Sequence, residues 1–362
     1  MYFVTNRKLS SAKEGLKIFG DTPNPRGSNE LRLVKVDGSP KNCTTQVLAD
    51  KLKRDEVQAL KDKYKLDISC DDNWYASLKV ACELFDKANR ESKSILIFVH
   101  GYNNNVEDVF RTATEIERKY DVIVVPFTWP ANGGGALSGT AAYLDDKKDA
   151  RASTNALDSL VRKIAHYHEM LTLEFRRSSM ARAEAAHPDN PDAARSFYTR
   201  LLERGCKVKI NLTCHSMGNY LLKYSLLPSA SALASLVFDN VALIAADANN
   251  ENHSTWLQRI QVRNRVYVVI NENDSALGWS RCKPGKEQLA RLGHYLRNLN
   301  AKNAYYINIT QAKYVGGDHS YFKGKAANNN KSLLRLFRDI FQGYSAEQKL
   351  SYRADINAYE LK

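Results

Sequence analysis

A serine set among small residues offers the first chemistry in this chain. In INLTCHSMGNYLLKY a β-type run ends at Cys214, Ser216 follows, and a helical pattern begins by Gly218. A serine raised on a sharp strand-to-helix turn needs small residues two places before and after it, because larger side chains would meet the neighbouring backbone. Cys214 fills the first place, where glycine is usual, and Gly218 the second. Alone, this motif reads better as a serine capping an ordinary helix, and its companions reverse the balance. SILIFVHGYNNNVEDVF carries an apolar strand into His100, Gly101 and Tyr102. A loop after such a strand donates one backbone N–H to an oxyanion while the residue after the nucleophile donates the other. Tyr102 and Met217 are the expected donors, with Gly101 letting the backbone approach the reacting carbonyl and His100 beside the pocket.

RVYVVINENDSAL places Asp274 just past a strong strand, and NVALIAAD places Asp247 in a similar position. Either carboxylate would orient an imidazole; Asp274 is favoured because a triad acid most often follows the penultimate strand. Asp247 then lines the pocket. YINITQAKYVGGDHSYF offers His319 as the base, in a Gly-rich loop after the last strand. His215 is expected to point off the elbow, His294 to cap or pack in a helical pattern, and His166 and His168 to belong to an insertion. Asp318 reads as a solvated neighbour. The order Ser216, Asp274, His319 is that of the α/β-hydrolase fold and differs from the serine-protease orders. Proton removal by His319, attack of Ser216 on a carbonyl and release by water need no cofactor, and no His/Asp cluster has metal-ligand spacing.

Positioning these groups requires a mostly parallel twisted sheet with helices on both faces. Strands are predicted at 2–5, 94–99, 121–129, 208–214, 240–246, 265–271 and 304–309. Helices are predicted near 105–119, 151–180, 217–227, 286–300 and 330–341. Residues 10–90 are expected to add N-terminal edge strands and a helix. The segment 165–205 exceeds a plain crossover and reads as a helical insertion broken at HPDNP, either a candidate lid or a peripheral hairpin. One domain over 1–362 accommodates all of it.

With 362 residues, 43% of them hydrophobic, the chain can bury a sizeable core. No apolar run is long enough to span a membrane, and the opening MYFVTNRKLS lacks the features of a secretory signal, so a cytoplasmic location is expected. The cysteines at 43, 70, 82, 206, 214 and 282 show no disulfide or metal spacing and read as free thiols. The net charge of +13 is concentrated late: residues 281–362 hold 15 Lys and Arg against 6 Asp and Glu. No basic run with interleaved aromatics resembles a nucleic-acid module. The basic C-terminal region suits an anionic membrane surface or a protein partner instead.

Taken in order, Thr5-Asn6-Arg7, Val99 to Asn103, Phe127 to Pro130, His215 to Asn219, Ala246-Asp247, Asn273 to Leu277 and His319 to Phe322 resemble a bacterial α/β-hydrolase family long filed as a domain of unknown function. The resemblance implies the same triad and esterase or lipase-like chemistry, and fixes no physiological substrate. Cys214 and the enlarged 165–205 segment depart from its usual pattern. The leading expectation is therefore hydrolysis of a carboxylic ester, a lipid or another acyl ester, through an acyl-enzyme. The alternatives are a catalytically silent hydrolase fold used for binding, and an effector component of a larger assembly.

Overall fold

Apolar residues at alternate positions of each central strand feed two separate cores. In the computed structural model, which describes residues 1–131, 140–205, 208–228, 231–282 and 289–362, the strands are β1 (Tyr2–Thr5), β2 (Arg7–Leu9), β3 (Phe19–Pro23), β4 (Arg32–Ser39), β5 (Asn42–Val47), β6 (Ser94–Val99), β7 (Val122–Thr128), β8 (Ile210–His215), β9 (Phe238–Ile244), β10 (Val262–Ile270), β11 (Ala304–Asn308), β12 (Ser351–Arg353) and β13 (Ala358–Glu360). Eleven of them form one sheet in the order β12, β13, β11, β10, β9, β8, β6, β7, β1, β4, β5. The run from β13 to β1 is parallel, and antiparallel pairs at β12–β13, β1–β4 and β4–β5 finish the two edges. All seven predicted strands lie in this sheet.

The helices are α1 (Arg54–Tyr64), α2 (Ala76–Glu91), α3 (Val106–Tyr120), α4 (Thr140–Ala152), α5 (Thr154–Ala186), α6 (Pro191–Gly205), α7 (Gly218–Ser225), α8 (His253–Leu257), α9 (Ser275–Arg281), α10 (Gly324–Asn329) and α11 (Lys331–Phe341). One face of the sheet, with Ile95, Ile97, Val125, Leu212, Leu243 and Val268, packs under Leu157 and Val161 of α5 and Leu221 and Leu222 of α7. The other, with Leu96, Val124, Ile244 and Val269, packs under Val109, Phe110 and Ile116 of α3 and Leu336, Phe337 and Phe341 of α11. Asn105 and Asn330 start α3 and α11 by accepting the N–H of Asp108 and Leu333, at 2.8 and 2.9 Å. A smaller cluster joins α1, α2 and α5 through Val57, Leu60, Leu78, Cys82, Tyr167 and Leu171.

Two expectations are corrected. Residues 10–90 contribute two helices, α1 and α2, instead of one. The helix expected at 286–300 does not form over its described part, which holds only a 3-10 turn at Leu292–His294. Residues 290–293 run instead beside 246–250: Gly293 N–H donates to Ala246 O at 3.0 Å, Leu292 N–H to Ala248 O at 2.8 Å and Asn250 N–H to Ala290 O at 2.7 Å. A Cβ on Gly293 would come within 2.1 Å of Ala246 N, an approach no helical side chain permits. Residues 286–288 lie outside the described residues, as does Cys206; the other five cysteines are free thiols. Among the described residues no helix is long and apolar enough to cross a membrane.

Candidate active site

β8 delivers Ser216 to the C-terminal edge of the sheet with φ +53°, a left-handed conformation that costs a non-glycine residue roughly 1–2 kcal/mol. Surrounding bonds hold it there. Ser216 N–H donates to Ile244 O at 3.0 Å, and the Asn219 amide donates to Cys214 O, Ser216 O and Ile244 O at 3.0 to 3.2 Å. Gly218 of the turn and Gly101 of the loop after β6 are both forced by close approach. A Cβ on Gly218 would lie 2.7 Å from His100 O, and one on Gly101 2.6 Å from Ser216 Cβ. The 101–104 loop therefore presses directly on the serine.

That loop is braced from the N-terminal strand. Arg7, fully buried, donates to Asn104 O at 3.1 Å, Ala131 O at 3.2 Å and Thr128 Oγ1 at 3.0 Å. Its guanidinium is pushed down to about 10, by burial above all. Asn104 Nδ2 donates to Tyr102 O at 2.7 Å, and Asn103 N–H donates to Asp146 Oδ2 at 3.0 Å. His100 stacks on Trp129, rings 5.1 Å apart, and accepts the Trp129 N–H at Nε2. Burial, with Arg7 nearby, pushes it down to about 3; it is a neutral strut behind the loop and lines no part of the cavity described below.

Past β10, Asp274 is wholly buried and opens α9 by accepting Leu277 N–H at Oδ1, 3.0 Å. Its Oδ2 accepts the Nδ1–H of His319 at 2.7 Å. The two loops are laced together: Asn271 Nδ2 donates to Gly316 O and Asp318 O, and Ser275 N–H and Oγ donate to Gly317 O. A Cβ on Gly317 would stand 2.5 Å from Ser275 Oγ, and Gly316 before it takes a left-handed φ of +48°. Asp318 accepts Ser320 N–H at 2.8 Å. His215 does not simply point away: its Nε2–H donates to His319 O at 3.0 Å and its ring lies 4.8 Å from that of His319. Burial, then the neighbouring His319, holds His215 well below its ordinary value.

Ser216 and His319 line one cavity of about 420 Å³, with Tyr102, Tyr143, Asp247 and Lys323 also in its walls. The side chains of Ser216 and His319 share no hydrogen bond in the structure; before substrate binds, such bonds are commonly long and tighten with substrate. Among the described residues no group of three or more His, Cys, Asp or Glu could hold a metal ion. A larger groove, about 820 Å³, runs between β4, α2 and α5, but contains none of the three triad candidates, so size does not choose the site.

Residues 80–187 match the model of a family described as alpha/beta hydrolase of unknown function (DUF900). No curated protein and no solved structure matches the chain. The sheet order, the helices on both faces and that match agree. By fold, the chain is an α/β hydrolase. The match includes the 99–103 loop and the end of β7 but stops short of Ser216, so the site of this α/β hydrolase rests on its own geometry.

Asp247 faces a different partner from the one a triad acid needs. Its Oδ1 lies 2.9 Å from Arg291 Nε and accepts the Ser280 hydroxyl at 2.6 Å, while Oδ2 accepts the Tyr143 hydroxyl at 3.0 Å. Arg291 is buried and also donates to Asn249 Oδ1 at 2.6 Å. Nothing in the local sequence pattern announced Tyr143, Ser280 or Arg291; Arg7, His215 and Asn219 lay in motifs already singled out, but the bracing roles they take here were not read from them. Among the described residues of the 165–205 segment, the candidate lid, none lines the cavity. α5 runs unbroken to Ala186 and packs on α2, α6 and α7 instead.

Proposed function

We propose that this α/β hydrolase cleaves a carboxylic ester with Ser216 as nucleophile, His319 as general base and Asp274 as its orienting acid. The observation that carries the reading is the 2.7 Å bond from His319 Nδ1 to a buried Asp274 whose partner imidazole opens onto the cavity holding Ser216. With Nδ1 committed as donor, His319 Nε2 is the free base: it takes the Ser216 proton as Oγ bonds to the ester carbon. The negative charge moves to the carbonyl oxygen, where the N–H groups of Tyr102 and Met217 are the proposed donors; Met217 begins a helix whose first N–H groups lack intrahelical acceptors. The imidazolium, held by Asp274, then protonates the leaving alcohol. Water repeats the sequence on the acyl-enzyme, and every group needed is a protein group, so no cofactor enters. An acyl ester, lipid or otherwise, is the substrate class on this reading, and a cytoplasmic, soluble enzyme its setting.

Ser216→Ala tests it. The variant should fold, lose fluorophosphonate labelling and lose hydrolysis of short p-nitrophenyl esters, leaving at most the residual rate that oxyanion donors alone support. Labelling mapped to another serine, or full activity in the variant, removes Ser216 from the mechanism.

A further inference from the structure

One cation in the candidate cavity has no counter-ion. Lys323 follows His319 by four residues in the same loop, its N–H turned back onto Ser320 O at 2.9 Å, and it lines the cavity with Ser216 and His319. Its Nζ donates to Thr112 Oγ1 of α3 at 2.7 Å, and among the described residues it forms no ion pair. The carboxylates nearest in influence, Glu115, Asp108 and Asp318, are otherwise engaged. Glu115 accepts Gly324 N–H and faces Lys119, Asp108 faces Arg111, and Asp318 accepts Ser320 N–H. Burial lowers the affinity of Lys323 for its proton.

A partly desolvated ammonium without an anion costs stability, and the same cavity shows what a compensated charge looks like: Asp247, on the wall built by α4 and α9, is neutralised by Arg291. An anion entering with the substrate would supply what Lys323 lacks, as a charge-assisted hydrogen bond in a low-dielectric recess. We propose that Lys323 sets the specificity of this cavity and that the favoured ester carries a carboxylate or phosphate, bound by the Lys323 ammonium beside the reacting centre. This rests on the ester-hydrolase reading and narrows it to anionic esters.

The test compares p-nitrophenyl pentanoate with mono(p-nitrophenyl) glutarate, which differ by a methyl group against a carboxylate. A second pair, phenyl acetate and 4-carboxyphenyl acetate, puts the charge on the leaving group. The anionic member of at least one pair should be favoured roughly tenfold or more in kcat/KM, mostly through KM. Lys323→Met should bring that ratio to about one, and Lys323→Arg, which keeps the charge, should retain most of it. A ratio that Lys323→Met leaves unchanged, with the fold intact, overturns the proposal. If no ester is cleaved and Ser216 resists labelling, the hydrolase reading fails on its own. The anion site is then judged by equilibrium binding of glutarate and of inorganic phosphate to the full chain: weaker binding to Lys323→Met supports it, and equal or absent binding overturns it. Phosphate bound in preference to glutarate identifies phosphate as the anion that Lys323 takes.

Discussion

Asp247 and Asp274 end neighbouring strands of the same sheet, β9 and β10, and both are buried. They differ in what they face. Asp247 meets a guanidinium and two hydroxyls, so its charge is paired with that of Arg291 inside the fold. Tyr143 beside it is pushed up to about 12, by burial first and the Asp247 charge second, and keeps its proton as a donor. Asp274 meets an imidazole, which donates Nδ1–H to it and leaves Nε2 facing away from the carboxylate. A carboxylate at a strand end is thus half of a buried ion pair or a candidate triad acid according to the side chain that the next loop brings to it.

Exchanging charge for neutrality at each acid breaks the comparison most sharply. Asp274→Asn should lower kcat by about 10⁴-fold, because the amide no longer holds His319 in the tautomer that leaves Nε2 free. Asp247→Asn should reduce kcat far less. Steady-state rates on one p-nitrophenyl ester decide it, and a larger loss at Asp247 in a folded protein reverses the two roles.

Stability should show the opposite ranking. Asp247→Asn leaves the buried Arg291 without its anion, an uncompensated charge that costs about 3–5 kcal/mol. Urea unfolding of the variant should show it, and removing both charges in Asp247→Asn with Arg291→Met should recover part of the loss. Equal midpoints for the native protein and Asp247→Asn would mean that the pair contributes nothing.

Ser216 and Asp274 were legible because each sits close after a strong β pattern stops, and His319 because a Gly-rich loop follows the next strand; these are local signals. Their environment was not, because it depends on chain far away in sequence. Arg291 and Gly293 lay in a stretch that reads as helix, and only the contact with Ala246 and Asp247 explains their strand-like course. Likewise Arg7 reaches the 104 loop across some hundred residues. Lys323 is one of 53 Lys and Arg residues, and only its position in the cavity without a carboxylate sets it apart.

Burial also acts on two imidazoles around the site. His100 is pushed down to about 3, and His215 is held well below its ordinary value of 6.5, each chiefly by burial. In the unfolded chain both take up a proton near 6.5, while the native state refuses it, so the unfolded state binds more protons as the pH falls. Stability contributed by their neutral forms is therefore complete above 6.5 and declines below it, by about 1.4 kcal/mol per pH unit for each histidine. Urea midpoints at pH 7, 6 and 5 should fall on that slope, and His100→Asn should flatten it. A flat profile in the native protein would mean that these rings are protonated in the fold.

The smallest effect is expected from a hairpin absent from the described lining of the cavity. Beyond Tyr167 and Leu171, which pack into the cluster shared with α1 and α2, α5 continues to Ala186 and buries Ser179 and Ala183, while α6, which packs on it, buries Ala194. The outer half of this hairpin makes an exposed ion pair, Arg177 with Asp67 at 2.6 Å, and exposed pairs of this kind contribute little. Replacing 176–203 by a Gly/Ser linker should leave the 420 Å³ cavity walls untouched, since none of those residues lines them. The ratio of kcat/KM for short and long acyl p-nitrophenyl esters should accordingly stay at its native value, with Ser216 still labelled. A changed chain-length preference in the folded variant would show that the hairpin reaches over the serine in solution, and would return to it the role of a lid.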